Sequence, residues 1–210
     1  HGANAFACGT GQVTSTGTQG VALGRGTVSG AYGIAGASGT ASGYCSVAFG
    51  EGSVASNTCA TALGGKTTAS GSCSFAAGDY GAQSEIDTGA VKPTEAKGLS
   101  CAAMGRYCVA GTAPGAIGAI ATGWGCEAPY GGSLACGTLN NTDGFDGATD
   151  TTIPRLLVGT GHNSSMTRET GLLVMGDGKV YVKGIGGYDG TNFGAAGVQS
   201  LQEVIASLIP

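Results

Sequence analysis

The charged side chains of this 210-residue chain are few, and six of them fall in one short stretch: Asp79, Glu85, Asp87, Lys92, Glu95 and Lys97, with Tyr80 among them. Two carboxylates held about 5 to 9.5 Å apart can serve as the acid and base of glycosidic cleavage, and Glu85 with Asp87 is the pair to consider for that chemistry. A stretch that leaves its scaffold as an exposed loop fixes such a separation poorly. The same residues read better as a receptor-binding surface, with Tyr80 as its aromatic contact. The plain alternative is a solvated excursion without a ligand. Other catalytic sets are incomplete. The two histidines are the terminal His1 and His162, the latter in a Gly/Asn/Ser turn, so no serine-histidine-acid triad is inferable. Gly159-Thr-Gly161 mimics part of a phosphate loop, but the chain holds 43 glycines and no helix follows. No catalytic or cofactor-binding residue is assigned, and the chain reads as a non-enzyme without a cofactor.

Eight cysteines raise the question of metal or disulfide. Zinc needs close ligand pairs such as Cys-x2-Cys, and none occurs, so no metal site is assigned. The cysteines follow a repeat instead. Cys45, Cys59 and Cys73 are spaced by fourteen residues, and in a solenoid they stack about 4.8 Å apart. That spacing permits a disulfide without demanding one; the preferred reading is buried free thiols acting as small hydrophobes. The acids of Asn140-Asn-Thr-Asp-Gly-Phe-Asp-Gly-Ala-Thr-Asp150 suggest a calcium loop, but their positions do not fit the EF-hand template, and a linker with Asp-Gly turns fits better. Asn140-Asn-Thr142 and Asn163-Ser-Ser165 match glycosylation sequons and read as turns.

The element that must carry these residues is a short repeat. Cys45-Ser-Val-Ala-Phe-Gly50 returns as Cys59-Ala-Thr-Ala-Leu-Gly64 and again as Cys73-Ser-Phe-Ala-Ala-Gly78, and related Ala-x-Gly endings fall at Gly9, Gly24, Gly105, Gly123 and Gly137. One, three and five residues before each glycine the larger apolar groups recur, as in Val47 and Phe49; two and four before, almost every residue is small, as in Ser46 and Ala48. Period-two alternation of this kind specifies a strand of about six residues with two packing faces. Glu51-Gly-Ser-Val-Ala-Ser-Asn57 supplies a turn and a second short strand. Fourteen residues thus make one flattened coil, and the fold class is all-β, a parallel β-roll solenoid. The spacing breaks between Gly24 and Gly50, predicting an irregular coil near Gly36, and between Gly78 and Gly105, where residues 79–98 form an inserted loop. A coil this small buries little apolar area, and both strand faces are apolar or small, so association of several chains is expected.

Composition agrees. Charged residues are 10% and aromatics 6%, with a mean hydropathy of +0.17, which excludes a charged disordered chain. No apolar run is long enough for a membrane-spanning helix, and a net charge of −4 argues against nucleic acid. The start at His1, without Met, reads as a processed or truncated product.

After the head, residues 1–138, a linker over 139–153 leads to a small β neck at 154–195. There Arg155-Leu-Leu-Val158 reads as a strand, and Leu172–Met175 and Lys179–Lys183 flank Gly176-Asp-Gly178 as a hairpin. Residues 196–210 form a short helix in which Val198, Leu201, Ile205 and Leu208 step by three, four and three, the seam of a coiled coil. The alternative is an amphipathic helix packed on the neck.

Ser46-Val-Ala-Phe-Gly50, with Ser74-Phe-Ala-Ala-Gly78 and Gly20-Val-Ala-Leu-Gly24, resembles the left-handed parallel β-roll heads of trimeric autotransporter adhesins. The resemblance covers residues 4 to 137 and implies three parallel chains, a rigid head, and surface binding without catalysis. The run from Leu156 to Asn192 is similar to a segment of bacteriophage tail fibres and related appendages. Together these imply a homotrimeric fibre or adhesin head, on a virion tail or a bacterial surface. It would attach to a host-surface glycan or protein, beside other fibre or baseplate proteins. A spike-borne glycan depolymerase is the enzymatic alternative.

Overall fold

The computed structural model describes residues 2–79, 93–143, 145, 153–161, 167–193 and 195–208. In its first two thirds every coil is introduced by a residue that turns the chain into a strand. Gln19, Tyr32, Cys45, Cys59, Cys73 and Ser100 all hold this place with φ between 53° and 57°. A left-handed residue other than glycine costs roughly 1–2 kcal/mol. Each is tied by its amide to the coil before, as from Cys59 to the Tyr44 carbonyl and from Cys73 to the Thr58 carbonyl, both at 2.8 Å. This position, five before the repeating glycine, was expected inside a six-residue strand. Its positive φ places it in the turn instead, and the strands that follow are three to five residues long.

The strands stack into two parallel sheets joined coil by coil. The wide sheet holds β1 (Phe6–Gly9), β3 (Val21–Gly24), β5 (Ile34–Gly36), β7 (Val47–Phe49), β9 (Thr61–Leu63), β11 (Phe75–Asp79), β13 (Ala102–Arg106), β15 (Ile120–Trp124) and β17 (Leu134–Thr138). The narrow sheet interleaves two-residue strands: β2 (Gln12–Val13), β4 (Thr27–Val28), β6 (Thr40–Ala41), β8 (Val54–Ala55), β10 (Thr68–Ala69), β12 (Glu95–Ala96), β14 (Val109–Ala110) and β16 (Glu127–Ala128). The architecture is a parallel β-solenoid of about eight turns.

Register explains the repeat. Ala48, Ala62, Ala76, Ala103, Ala121 and Ala135 lie opposite one another on successive wide-sheet strands, and all are fully buried. Ala41, Ala55, Ala69, Ala96, Ala110 and Ala128 face them from the narrow sheet, equally buried. The core of the roll is therefore mostly alanine against alanine, with Val13, Val28 and Val109 among it and Tyr107 buried in the turn after β13, and most other large apolar side chains point outward. The two inner corners are closed by hydroxyls and thiols that donate to backbone carbonyls: Ser46 to Gly43 at 2.8 Å and Ser74 to Gly71 at 2.6 Å in one corner, Thr94 to Gly105 at 3.0 Å and Cys108 to Gly123 at 3.3 Å in the other. The anchor glycines are required by this stacking. At Gly64 and Gly78, φ is 107° and 150°, and a Cβ on either would overlap the carbonyl oxygen of the next anchor.

The irregular coils are resolved by register. Val21 pairs with Ile34 and Ile34 with Val47, so two coils of thirteen residues flank Gly36, and Gly36 makes room for the Phe49 ring packed over it. Phe75 pairs with Ala102, 27 residues on, which is thirteen more than the fourteen between Thr61 and Phe75. The excess equals residues 80–92.

Beyond β17 the wide sheet continues. β18 (Pro154–Thr160) pairs parallel with β17, and β19 (Thr170–Met175) and β20 (Val180–Val182) add antiparallel strands around the expected turn at Asp177-Gly178. The neck is thus a cap built on the last coil. Its core is made of large side chains, Leu157, Leu173, Met175, Tyr181 and Tyr188. The start of the presumed linker is built in as well: Leu139 and Asn140 are fully buried, and the Asn140 side chain bonds both the amide and the carbonyl of Glu127, at 2.7 and 2.8 Å, as a next strand would. Helix α1 (Leu201–Leu208) follows, the one helix among the described residues.

Candidate functional site

Because small residues fill most of the interior, the outer face of the wide sheet carries a mostly apolar row, interrupted at Thr61. Phe6, Val21, Ile34, Val47, Thr61, Phe75, Ala102, Ile120 and Leu134 oppose one another from coil to coil, one interstrand spacing of about 4.8 Å apart. A parallel row holds Leu23, Phe49, Leu63 and Met104. Phe6 is 57% exposed, and Leu23, Ile34, Phe49, Met104, Ile120 and Leu134 are each 37–38% exposed. The second row also carries Cys8, Thr122 and Cys136. A mostly apolar surface of this kind can bind another apolar surface.

The charged stretch divides into three parts. Asp79 ends β11 opposite Arg106 and, with Glu51, Gly65 and Lys66, lines a notch of about 170 Å³. Tyr80, Glu85, Asp87 and Lys92 lie outside the described residues, as do His162, Asn163 and the acids Asp146 and Asp150. Glu95 and Lys97 belong to the roll: Glu95 sits in β12 between Thr68 and Val109, its carboxylate 2.7 Å from the Lys97 ammonium. The excursion therefore ends before Glu95, inside the 79–98 span read from the sequence. The reason is register, since Thr94-Glu95-Ala96 takes up the ladder of Thr67-Thr68-Ala69.

The cysteines separate by place. All eight are free. Cys101, Cys108 and Cys126 are the buried small groups the sequence suggests, and Cys126, hydrogen-bonded to Cys108 and desolvated, is pushed up and stays a thiol. Cys45, Cys59 and Cys73, expected to be buried, stand on the outside because the turn position faces solvent; Cys45 is half-buried and the other two exposed. Among the described residues no three His, Cys, Asp or Glu side chains are grouped to hold a metal ion. Asn140, the acceptor of the first sequon, is buried and engaged on both sides, which excludes it as a glycosylation site in this fold.

A hollow of about 730 Å³ lies in the cap between Thr160, Gly171, Lys183, Tyr188 and Asp189. Its charges have partners. Lys183 pairs with Glu169. The Asp189 carboxylate, held below its ordinary range by the Thr191 amide and hydroxyl and the Asn192 amide, closes its own loop at 2.8–3.0 Å. Burial pushes the Tyr188 phenol up to about 12. The cap is clamped to the roll by Arg168, whose guanidinium meets Glu127 at 2.8 Å and the Gly125 carbonyl at 2.9 Å.

Helix α1 begins at Leu201 and not at 196, so Val198 precedes it and the expected four-residue seam is not a single helical stripe. Val198 and Leu201 are half-buried against the cap, whereas Ile205 and Leu208 are 48% and 76% exposed. Polar contacts dock the helix on the hairpin: Lys179 to Glu203 at 3.2 Å, and the Gln202 amide to the Gly178 carbonyl at 3.0 Å. Ser200 and Glu203 form a capping box, the Ser200 amide donating to Glu203 at 2.7 Å and the Glu203 amide to the Ser200 hydroxyl at 3.3 Å. No described helix is long and apolar enough to cross a membrane. In comparisons with protein-family models, with curated proteins and with solved structures, none matches this chain.

Proposed function

We propose that the chain is the head of a trimeric attachment fibre, a component of a bacteriophage tail or a related appendage, in which three parallel rolls pack through the apolar face of the wide sheet. The observation that supports this reading is the mostly apolar outer row from Phe6 to Leu134, interrupted by a hydroxyl at Thr61. Monomers rarely leave a contiguous apolar patch of such extent in water. Two further copies are the occupants that fit best, because an identical row repeating at the same interval matches it coil for coil, as closed symmetric assemblies require. The alternation of large and small residues, and its resemblance to the heads of trimeric autotransporter adhesins, support the same arrangement, and a bacterial surface adhesin would use it in the same way. Three identical weak sites on one rod gain avidity through their high effective concentration.

The receptor is a host-surface glycan or protein, met by the excursion between Asp79 and Pro93. Removing residues 80–92 restores the fourteen-residue period, so the variant keeps the roll. The test is binding of the intact and shortened proteins to whole bacterial cells and to purified surface polysaccharide. Loss of binding with an unchanged circular dichroism spectrum is expected. Equal binding by both would remove the excursion from the site, and release of oligosaccharides by the intact protein would replace attachment with cleavage.

A further inference from the structure

The outer cysteines form a column with an order of its own. Cys45, Cys59 and Cys73 occupy the same left-handed turn on three consecutive coils, with φ of 53°, 53° and 55°. Two residues on from each, Val47, Thr61 and Phe75 are in register, so neighbouring members of the column stand one interstrand spacing apart, about 4.8 Å. That lies inside the Cα separation of roughly 4.4–6.8 Å that a disulfide spans, whereas Cys45 and Cys73, two spacings apart at about 9.6 Å, lie beyond it. Cys59 is thus the one thiol that reaches both others. Its two neighbours are not equivalent. Cys45 is half-buried beside Tyr44, whose ring packs edge-on against Tyr32 with centroids 5.3 Å apart, while Cys73 is exposed like Cys59.

We propose that Cys59 and Cys73 are a redox-modified pair that forms one disulfide between adjacent coils, with Cys45 as a slower substitute partner for Cys59. A low-molecular-weight disulfide such as oxidised glutathione supplies the oxidant. The Cys59 thiolate attacks one glutathione sulfur and expels a first glutathione thiolate. Cys73, deprotonated, then attacks the Cys59 sulfur of the mixed disulfide and expels the second. Two cysteine thiols lose two protons and two electrons, and oxidised glutathione is reduced to two glutathione molecules. The fully buried Cys101, Cys108 and Cys126 are shielded from the reagent. The Cys59 thiol is pushed above its ordinary value by partial desolvation and by the neighbouring Cys73 and Cys45, so the exchange is favoured by mildly alkaline buffer.

The experiment treats the folded full chain with oxidised glutathione at about pH 8.5, counts free thiols, and maps linked peptides by mass spectrometry. Because Cys8 is exposed and Cys136 half-buried, the count is taken in a Cys8→Ser, Cys136→Ser background, where it should fall by two with the Cys59 and Cys73 peptides joined. Cys73→Ser should move the link to Cys45 and slow it several-fold, and Cys59→Ser should abolish it. Serine is accepted at this turn, since Ser100 fills the same place on the following coil with φ of 53°. Should Cys59→Ser fail to fold, the double variant Cys45→Ser with Cys73→Ser gives the same reading, because it leaves Cys59 without a partner in reach. A link that persists in either variant overturns the proposal. So does an unchanged thiol count, or a product limited to mixed disulfides or chain-to-chain links.

Discussion

Along its sheets the roll buries mainly alanine, with Val13, Val28 and Val109 and a single large ring, Tyr107, in the turn after β13, whereas the cap buries Leu157, Leu173, Tyr181 and Tyr188. Apolar burial stabilises at roughly 25 cal/mol per Å², so an alanine-filled interior contributes little area per residue. The roll relies instead on its backbone ladder, in which each coil satisfies the amides and carbonyls of the next. Most of its large apolar groups, Tyr107 excepted, remain outside. The cap has them inside and is complete within one chain. Under the proposed assembly, folding and association of the roll would be coupled, while the cap closes the end of the ladder within one chain.

The largest effect should come from overfilling the roll. Ala76→Leu places a bulky group in a layer one alanine thick, between coils whose anchors already touch; it is expected to cost more than about 3 kcal/mol and to lose most of the β signal in circular dichroism. A mild response would mean that the two sheets can part and that the alanine layer is not the constraint. Leu173→Ala should cost about 2–5 kcal/mol by cavity formation. Hydrogen exchange should show the loss in β18 to β20, with coils between Thr27 and Ala69 still protected. Uniform loss of protection would show that roll and cap fold as one unit and would erase the comparison.

A smaller effect concerns the helix. Glu203 is held below the usual carboxylate range by the Ser200 amide and hydroxyl and by Lys179, and Lys179 is held up by Glu203. A carboxylate depressed in the folded state stabilises it above its unfolded value, about 4.3, and loses that contribution as pH falls through the folded value. Lys179 acts in the opposite sense, its contribution being lost only above about pH 10.4. Amides of Leu201–Leu208 should therefore lose protection as pH falls below about 4, with the roll unaffected, and Glu203→Gln should show at neutral pH the loosened helix that the parent shows in acid.

The roll was legible in the sequence because its period and its alternation of large and small residues are both backbone requirements. Which face lies inside was not, since neither face is polar. The volume between two sheets bridged by tight turns decides it, and that volume admits alanine. The left-handed place of Cys45, Cys59 and Cys73 was hidden because these residues have side chains where such a turn favours glycine. The return of the chain at Thr94 could have been found: Thr-Glu-Ala repeats the pattern of Thr67-Thr-Ala69 once residues 80–92 are set aside. Ser200-x-x-Glu203 likewise marks the helix start. Asn140 carries no such signal, because its role as a substitute strand depends on the exposed edge of β16. Of the charged candidates expected in the loop, Asp79, Glu95 and Lys97 belong to the roll instead, Asp79 ending β11 opposite Arg106 and Glu95 and Lys97 taken up by register.

The central claim is that the outer row of the wide sheet is covered by other copies of the chain, and light scattering in the presence of reductant tests it most directly. The account predicts a mass three times that of the 20.1 kDa chain, falling to that of a single chain when Ile34→Asp and Phe49→Asp place carboxylates in the row. A parent protein that is a stable, dispersed monomer at the same concentration would contradict it.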